Sequence, residues 1–431
     1  MSTGKLNPNA GKATFLSNGA GGWNPASLIV GRPVTILRFR DGVSSLFTPG
    51  EEQPFHRAKT PPLALLEDLL ARMKKECPAD PADNSAPAMP LAIIAASYEF
   101  GRNFSPHEHC FPHASNLKDD EFFAAIFSEA ASATTASPMR TQHGPADRET
   151  ALRSEISQSA YEEKLGRIQS YLEAGDIYQA NLTLAMAGHT SVSADDLFAR
   201  GITLGGAAFA AMCVLPEGTM LCFSPELYLR RRGRHIETRP IKGTRVIAPG
   251  AGGEAAAREA LAASEKDRAE HLMIVDLERS DLGRLCETGS VRVDPFMEIV
   301  THPTVAHMES VVTGTLREGV TLTDLFAATF PGGSVTGAPK KRALEIIAEL
   351  EDGPRGIYCG AFGWVDANGD CELNLPIRTA MIRPSGEVEF HTGSGIVADS
   401  VAAEEWQELM DKAKFFEGVL RGEKDSQGGK E

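Results

Sequence analysis

The chain has 431 residues, 42% of them apolar and 23% charged, a composition typical of soluble globular proteins with room for one large domain or two ordinary ones. Lys+Arg 43 against Asp+Glu 58 leaves a formal charge of −15, with no Lys/Arg-rich run to offset it, which argues against nucleic acid or an anionic membrane surface as partner. Seven scattered cysteines without a Cys-x-x-Cys pair speak against a zinc site or a disulfide framework, and the lack of an apolar leader or spanning run predicts a cytoplasmic protein.

Residues 1–25, rich in Gly, Asn and Ser, predict a poorly ordered start. Val34 to Phe39 reads as a strand, and Pro62 to Lys75 as a helix with Leu63, Leu66, Leu69, Leu70 and Met73 on one side. A Pro/Ala/Asp/Asn-rich loop spans Cys77 to Pro90, Leu91 to Ala96 is a buried-strand candidate, and 128–150 reads as an Ala/Ser/Thr-rich linker. Tyr161 to Ala174 has helical spacing through Leu165, Ile168 and Leu172, with Gly175 at its end. The run Gly175-Asp176-Ile177-Tyr178-Gln179-Ala180-Asn181-Leu182 then enters a strand, where Gln179 and Asn181 either meet a ligand or brace the core.

Between Ser224 and Arg245, Leu227, Leu229, Ile236 and Thr238 recur at period two on either side of Arg232-Gly233-Arg234, the pattern of two strands and a tight turn. Such a hairpin returns Glu226 near Lys242, and a carboxyl converging on an amine is either a surface ion pair or a proton donor beside a nucleophile. Ser264 to Leu285 reads as a helix opened by Ser264-Glu265-Lys266-Asp267, which has the form of a capping box. Glu270, Met273, Ile274, Leu277 and Asp281 share one of its faces, and a carboxylate on an apolar stripe needs a partner. Arg284 can serve Asp281, whereas Glu270 is read as having no cation at helical spacing on its own face.

His307-Met308-Glu309-Ser310 lies in a further strand, where the histidine is either a packed core residue or part of a site. Phe330 to Lys340 is a Gly-rich loop opening a helix to about Glu351; Ala338-Pro339 after its last glycine exclude a Walker A loop. Pro339 fits the first helical turn, whose exposed N–H groups suit an anion such as a carboxylate. Tyr358 to Val365 and Leu373 to Ile382 are expected to pair as strands, with Arg378 on the second, otherwise apolar one, placed for a bidentate carboxylate contact. Gly393-Ser394-Gly395 lets backbone amides approach a ligand. The last helix, about Val401 to Leu420, carries Glu405, Glu408 and Lys412 on one face and Trp406, Met410, Ala413 and Phe416 on another, with Glu408 and Lys412 at the spacing of an exposed ion pair.

Taken in order, the run from Gly175 to Leu182, Ser224-Pro225-Glu226, Pro240-Ile241-Lys242-Gly243-Thr244, Ala269-Glu270-His271 and His307-x-x-Ser310 resemble motifs of the chorismate-utilising enzymes, the anthranilate, aminodeoxychorismate, isochorismate and salicylate synthases. The likeness is dense from about residue 155 to 416. It implies an α+β fold of two large packed antiparallel sheets flanked by helices, with 1–150 completing the sheet sandwich, 151–420 binding chorismate and 421–431 forming a tail. It also implies Mg²⁺ held by Glu270 and Glu408 with Glu405 close by, Lys242 as nucleophile, and Glu226 as the acid for the departing hydroxyl. Substrate contacts would come from Gly243, Thr244, His307, Thr336, Tyr358, Arg378, Gly393, Gly395 and Lys412.

At the third position of Pro-Ile-x-Gly-Thr the aminodeoxychorismate synthases carry lysine and most relatives alanine. Lys242 therefore points to amination of chorismate at C4, towards p-aminobenzoate and folate, with anthranilate, isochorismate or salicylate chemistry and a non-catalytic homologue as alternatives. The glutaminase elbow Gly-x-Cys-x-Gly is absent and the chain stops at Glu431. Ammonia is thus expected from solution or from a separate glutamine amidotransferase subunit, and a separate aminodeoxychorismate lyase is expected downstream. Relatives with a tryptophan pocket carry Leu-Leu-Glu-Ser; here Leu65-Leu66-Glu67 runs into Asp68, which argues against such a pocket.

Overall fold

The computed structural model describes residues 13–16, 33–76, 91–104, 111, 119–128, 151–205, 207–248, 250, 252–302 and 305–422. The loop expected over 77–90, nearly all of the 128–150 linker and the end of the chain past Gly422 lie outside them.

Leu91–Ala96 shows how the architecture follows from the side chains. All six residues are buried, and alternate ones join different cores. Leu91, Ile93 and Ala95 pack with Phe209, Ala211, Cys213, Met220 and Cys222, while Ala92, Ile94 and Ala96 pack with Leu63, Leu66, Leu70 and Phe326. A strand apolar on both faces has to lie between two layers. Here the layers are a second sheet on one side and the Pro62–Glu76 and Leu322–Thr329 helices on the other.

The sheet containing Leu91–Ala96 has 11 strands, including the hairpin Leu227–Arg232 and His235–Arg239 and, next to it, Cys371–Asn374 and Ala361–Asp366. Thr35–Arg40 and Phe122–Phe127 belong to this same sheet. The facing sheet has 8 strands, among them Phe209–Leu215, Gly218–Ser224, Thr379–Ile382, Glu387–Ile396 and Gln179–His189. Its outer face is covered by the helices Gln158–Glu173, Ala194–Gly205, Lys340–Leu350 and Ala402–Arg421, through Ile168, Phe198, Ile346 and Phe416. A sheet of 3 strands, Ile241–Val246, Val305–Glu309 and Glu298–Thr301, stands apart. This is the α+β sandwich of two large antiparallel sheets with helices outside. No described helix is long and apolar enough to cross a membrane.

Several local expectations are corrected. Ala13–Leu16, in the stretch expected to lack order, pairs as a strand with Phe209–Leu215. Leu373 to Ile382 is not one strand: Cys371–Asn374 pairs with Ala361–Asp366 in the larger sheet, and Thr379–Ile382 pairs with Gly218–Ser224 in the other. Arg378 is therefore in the crossover between sheets, at φ 50°, and not on an apolar strand. The Gly-rich loop is buried from Pro331 to Ala338, while Pro339 and Lys341 at the start of the following helix are exposed. Pro339 forms the N-cap of the Lys340–Leu350 helix, and Lys340 donates to Asp281 Oδ2 at 2.5 Å and Thr329 O at 2.9 Å. At Ser264 half of the expected capping box forms, Asp267 N donating to Ser264 Oγ at 3.2 Å, while the Asp267 carboxylate accepts from Arg245 at 2.5 Å.

Candidate active site

Glu226 is fixed by its backbone. Its N–H donates to Ser224 Oγ at 3.1 Å, Ser224 Oγ donates to Leu375 O at 2.6 Å, and Leu375 N donates to Glu226 O at 3.1 Å. The Ser-Pro-Glu turn is thus tied to the crossover between the sheets. The side chain is buried, with the Ser334 hydroxyl, the Ile241 N–H and Lys242 close to it. Burial pushes its carboxyl up to about 7 against those contacts, so it keeps its proton in weakly acidic solution and is half protonated near neutrality.

Lys242 is the second residue of its strand in the small sheet, opposite Met308. The register shifts between Lys242 and Thr244, where Gly243 takes φ 72° and a Cβ would stand 3.1 Å from Asp267 Cβ and Leu261 Cδ2. A glycine bulge of this kind re-aims its neighbours. Lys242 Nζ donates to Ser334 O at 3.2 Å. Burial lowers its pKa, while Glu270, Glu226 and Glu408 work in the opposite direction and Lys412 adds to the fall. The sequence reading of a carboxyl and an amine converging through the hairpin therefore holds, with Ser334 joining them.

Past the bulge, Thr244 Oγ1 and His307 Nδ1 are 2.9 Å apart. Burial, then the charge of Arg378 and the neighbouring His302, lower His307 to about 3, so it is a neutral imidazole. Arg378 is itself lowered by burial, and its guanidinium has no hydrogen bond or ion pair among the described residues. Tyr358 stacks on His391 with ring centroids 5.5 Å apart, and a Cβ at Gly393 would stand 3.0 Å from the Tyr358 hydroxyl. Gly395 leaves room for a protein side chain, since a Cβ there would lie 2.1 Å from Gln179 Nε2. Gln179 and Asn181 are buried, and Gln179 Nε2 and Oε1 and Asn181 Nδ2 find no partner among the described residues. Unpaired buried amides of this kind mark a place that water or a ligand completes.

The acidic side is built from two helices. On Glu265–Gly283, burial raises the Glu270 carboxyl, with Lys242 and then Lys266 opposing and Asp267 and Glu405 adding to the rise. Lys266, one turn earlier on the same helix, corrects the expectation that no cation faces Glu270. On Ala402–Arg421, Glu408 forms the expected pair with Lys412 at 2.6 Å, and Lys412 also donates to Gly393 O at 2.7 Å. Glu405 is held elsewhere: Ser394 and Ser400 donate to its two oxygens, and Lys266 stands at 3.8 Å. Thr336 turns inward, its hydroxyl donating to Gly332 O at 3.0 Å.

Among the described residues no group of three or more His, Cys, Asp or Glu side chains is arranged to hold a metal ion. Glu270 and Glu408, which both act on Lys242, supply two carboxylates from different helices. Mg²⁺ is commonly held by one or two protein carboxylates with water and substrate oxygens completing its shell, so this donor set fits it. Ser334 and Glu278, absent from the residues singled out in the sequence, belong to the site as well. Ser334 lay inside a quoted motif, whereas nothing in the helical pattern set Glu278 apart.

A model of the chorismate binding enzyme family matches residues 55–418. The chain is 38% identical over 265 residues to aminodeoxychorismate synthase component 1 of Bacillus subtilis, covering 62% of this chain and 56% of that protein. It is also 38% identical over 275 residues to anthranilate synthase component 1 of Aquifex aeolicus, covering 64% and 56%. These matches span little more than half the length of the relatives. In fold it resembles the crystal structure of anthranilate synthase component I from Streptococcus pneumoniae, with TM-score 0.72 at 24% identity over 94% of this chain and 92% of that one.

Proposed function

The chain belongs to the chorismate binding enzyme family, and from that premise we propose that it converts chorismate and ammonia into 4-amino-4-deoxychorismate. The observation that carries this reading is Lys242: an amine lowered by burial, within reach of a protonated carboxyl on Glu226, at the position where the sequence departs from an alanine common among relatives.

Lys242, neutral, attacks C2 of the ring while Glu226 gives its proton to the C4 hydroxyl, which departs as water. Ammonia then adds at C4, the lysine amine leaves C2, and the surplus proton on the new amine returns to Glu226. Arg378, without a hydrogen bond or ion pair among the described residues, takes a substrate carboxylate, and Tyr358 and the Gly393 to Gly395 segment shape the other wall. Glu270 and Glu408 would hold Mg²⁺, which supplies Lewis-acid polarisation of the substrate when bound. The ammonia would come from a separate glutaminase component, and the product would pass to a separate lyase.

Incubation with chorismate, Mg²⁺ and ammonium, with the product identified by mass and chromatography, tests the reading. The expected product is 4-amino-4-deoxychorismate; anthranilate would replace the proposal with its nearest rival. With ammonia omitted, intact-protein mass spectrometry should find an adduct on Lys242, and Lys242→Ala should abolish both adduct and product.

A further inference from the structure

The Gly-rich loop carries the Ser334 carbonyl that accepts from Lys242 Nζ at 3.2 Å, so the aim of this amine depends on what holds the loop. The loop's own backbone bonds are long: Val335 N donates to Gly332 O at 3.4 Å and Thr336 N to Gly333 O at 3.3 Å. From Thr336 onward the neighbouring strand Gln179–His189 takes over. Asn181 N donates to Thr336 O at 2.8 Å, and Gly337 and Ala338 pair with Ala180 and Gln179. Before Thr336 that ladder stops, and the carbonyls of Val335 and Asn181 both need a donor.

Arg355 supplies one to each. Its buried guanidinium donates through Nη1 to Val335 O and through Nη2 to Asn181 O, both at 2.8 Å. Nε and Nη2 also donate to the two oxygens of Glu351, again at 2.8 Å. Glu351 is the C-cap of the Lys340–Leu350 helix and accepts from the Thr183 N–H and hydroxyl. The Arg355 backbone N–H is itself held by Glu99 at 2.7 Å. One planar group with its donors fixed in a fork thus spans loop, strand and helix end, which a point charge cannot do.

We propose that Arg355 is a positioning residue for the nucleophile: its guanidinium replaces the missing rung between Val335 and Asn181, fixes the Ser334–Val335 segment, and so aims Lys242 at the substrate. The role rests on Lys242 being the nucleophile; the splice of loop to strand does not.

Arg355→Lys is the deciding variant, because it keeps a cation for Glu351 and loses the fork. Chorismate supplied without ammonia should form the Lys242 adduct about 100-fold more slowly, the loss expected when a reacting group is misplaced by about 1 Å. The final amount of adduct, and the chorismate concentration for half-maximal rate, should stay near wild type. A lower final amount with an unchanged rate constant marks Arg355 as merely structural and overturns the proposal. Arg355→Ala carries a second measurement. Arg355 lines a cavity of about 330 Å³ with Thr183, Glu351 and Tyr358, and the exposed Asp352 belongs to its lining, so guanidinium from solution can reach the vacated place. Guanidinium below denaturing concentration should restore the adduct rate of Arg355→Ala by roughly tenfold, and sodium at equal ionic strength should not; equal effects of the two salts overturn the proposal. Hydrogen exchange of the peptide covering 330–338, followed without substrate, should quicken by roughly tenfold in Arg355→Lys while that of Phe209–Leu215 holds. Unchanged exchange at the loop also overturns the proposal. Absence of any adduct in the wild type would defeat the chorismate reading and leave the exchange result to decide the splice.

Discussion

Arg378 stands at φ 50° in the crossover between the two large sheets, a backbone conformation a long side chain adopts only when its surroundings demand it. Burial disfavours its charge, yet no carboxylate among the described residues meets it. A guanidinium in that position is waiting for an anion, and its planar fork suits a carboxylate better than a point charge does. Arg378→Met should therefore weaken chorismate binding by roughly 10- to 100-fold, the range expected for losing a charge-assisted hydrogen bond. Arg378→Lys should fall in between, because it keeps the charge and loses the fork. Fluorescence titration with chorismate decides it, and wild-type affinity in Arg378→Met would remove this residue from the substrate site. Glu270 makes the matching case for metal. Chelation should abolish turnover, and Glu270→Gln should raise the Mg²⁺ concentration needed for half-activation, whereas full activity in excess chelator would end the Mg²⁺ proposal.

At the scale of elements, the hairpin and the crossover differ in how far the sequence discloses them. Leu227, Leu229, Ile236 and Thr238 alternate about Gly233, at φ 57°, so both the turn and the return of Glu226 towards Lys242 can be read from spacing alone. Leu373 to Ile382 conceals its break. Every residue from Cys371 to Pro376 is buried, the polar Glu372 and Asn374 included, so burial runs on past the end of the strand and does not show where the chain leaves one sheet for another. Glu278 was hidden for a related reason: its hydrogen-bond partner, Thr238, comes from another element. Arg355 joins several such elements at once, donating to Glu351 at 2.8 Å, to Val335 O and Asn181 O at 2.8 Å each, and lying 4.3 Å over the Tyr98 ring. Arg355→Met would remove the cation from the Glu351 carboxylate, which keeps only the Thr183 N–H and hydroxyl, and would take a donor from two carbonyls. Denaturant unfolding should show a loss of about 3–5 kcal/mol, and a loss below about 1 kcal/mol would mean that this junction is not what ties the helix end to the strand.

Across the whole molecule, the ionisable groups pushed furthest from their ordinary values include buried carboxyls and imidazoles, and these act on stability with opposite signs. Burial raises Glu99 and Glu226 to about 7 and Glu217 and Glu278 to about 8, from 4.5. Each stays protonated in the folded chain at a pH where the unfolded chain has released its proton, so each draws stability down as pH rises from 4.5 to its folded value. Burial lowers His271 to about 4 and His307 to about 3, from 6.5; the unfolded chain then binds the extra protons, and stability rises with pH up to 6.5. The two trends oppose one another below pH 6.5. Above it the histidines no longer contribute and the carboxyls continue, helped by the self-repulsion of a chain whose formal charge is −15. The metal-free protein should therefore have a lower thermal midpoint at pH 8 than at pH 6.5. Mg²⁺ should narrow that difference, because a carboxyl raised by burial, as Glu270 is, must release its proton to bind the ion, and that release is easier at the higher pH. Scanning calorimetry at both pH values, with and without Mg²⁺, reads both effects. A midpoint that climbs from pH 6.5 to 8 without metal would show that these carboxyls are solvated in the folded chain, and with them the protonated Glu226 on which the proposed chemistry depends would be lost.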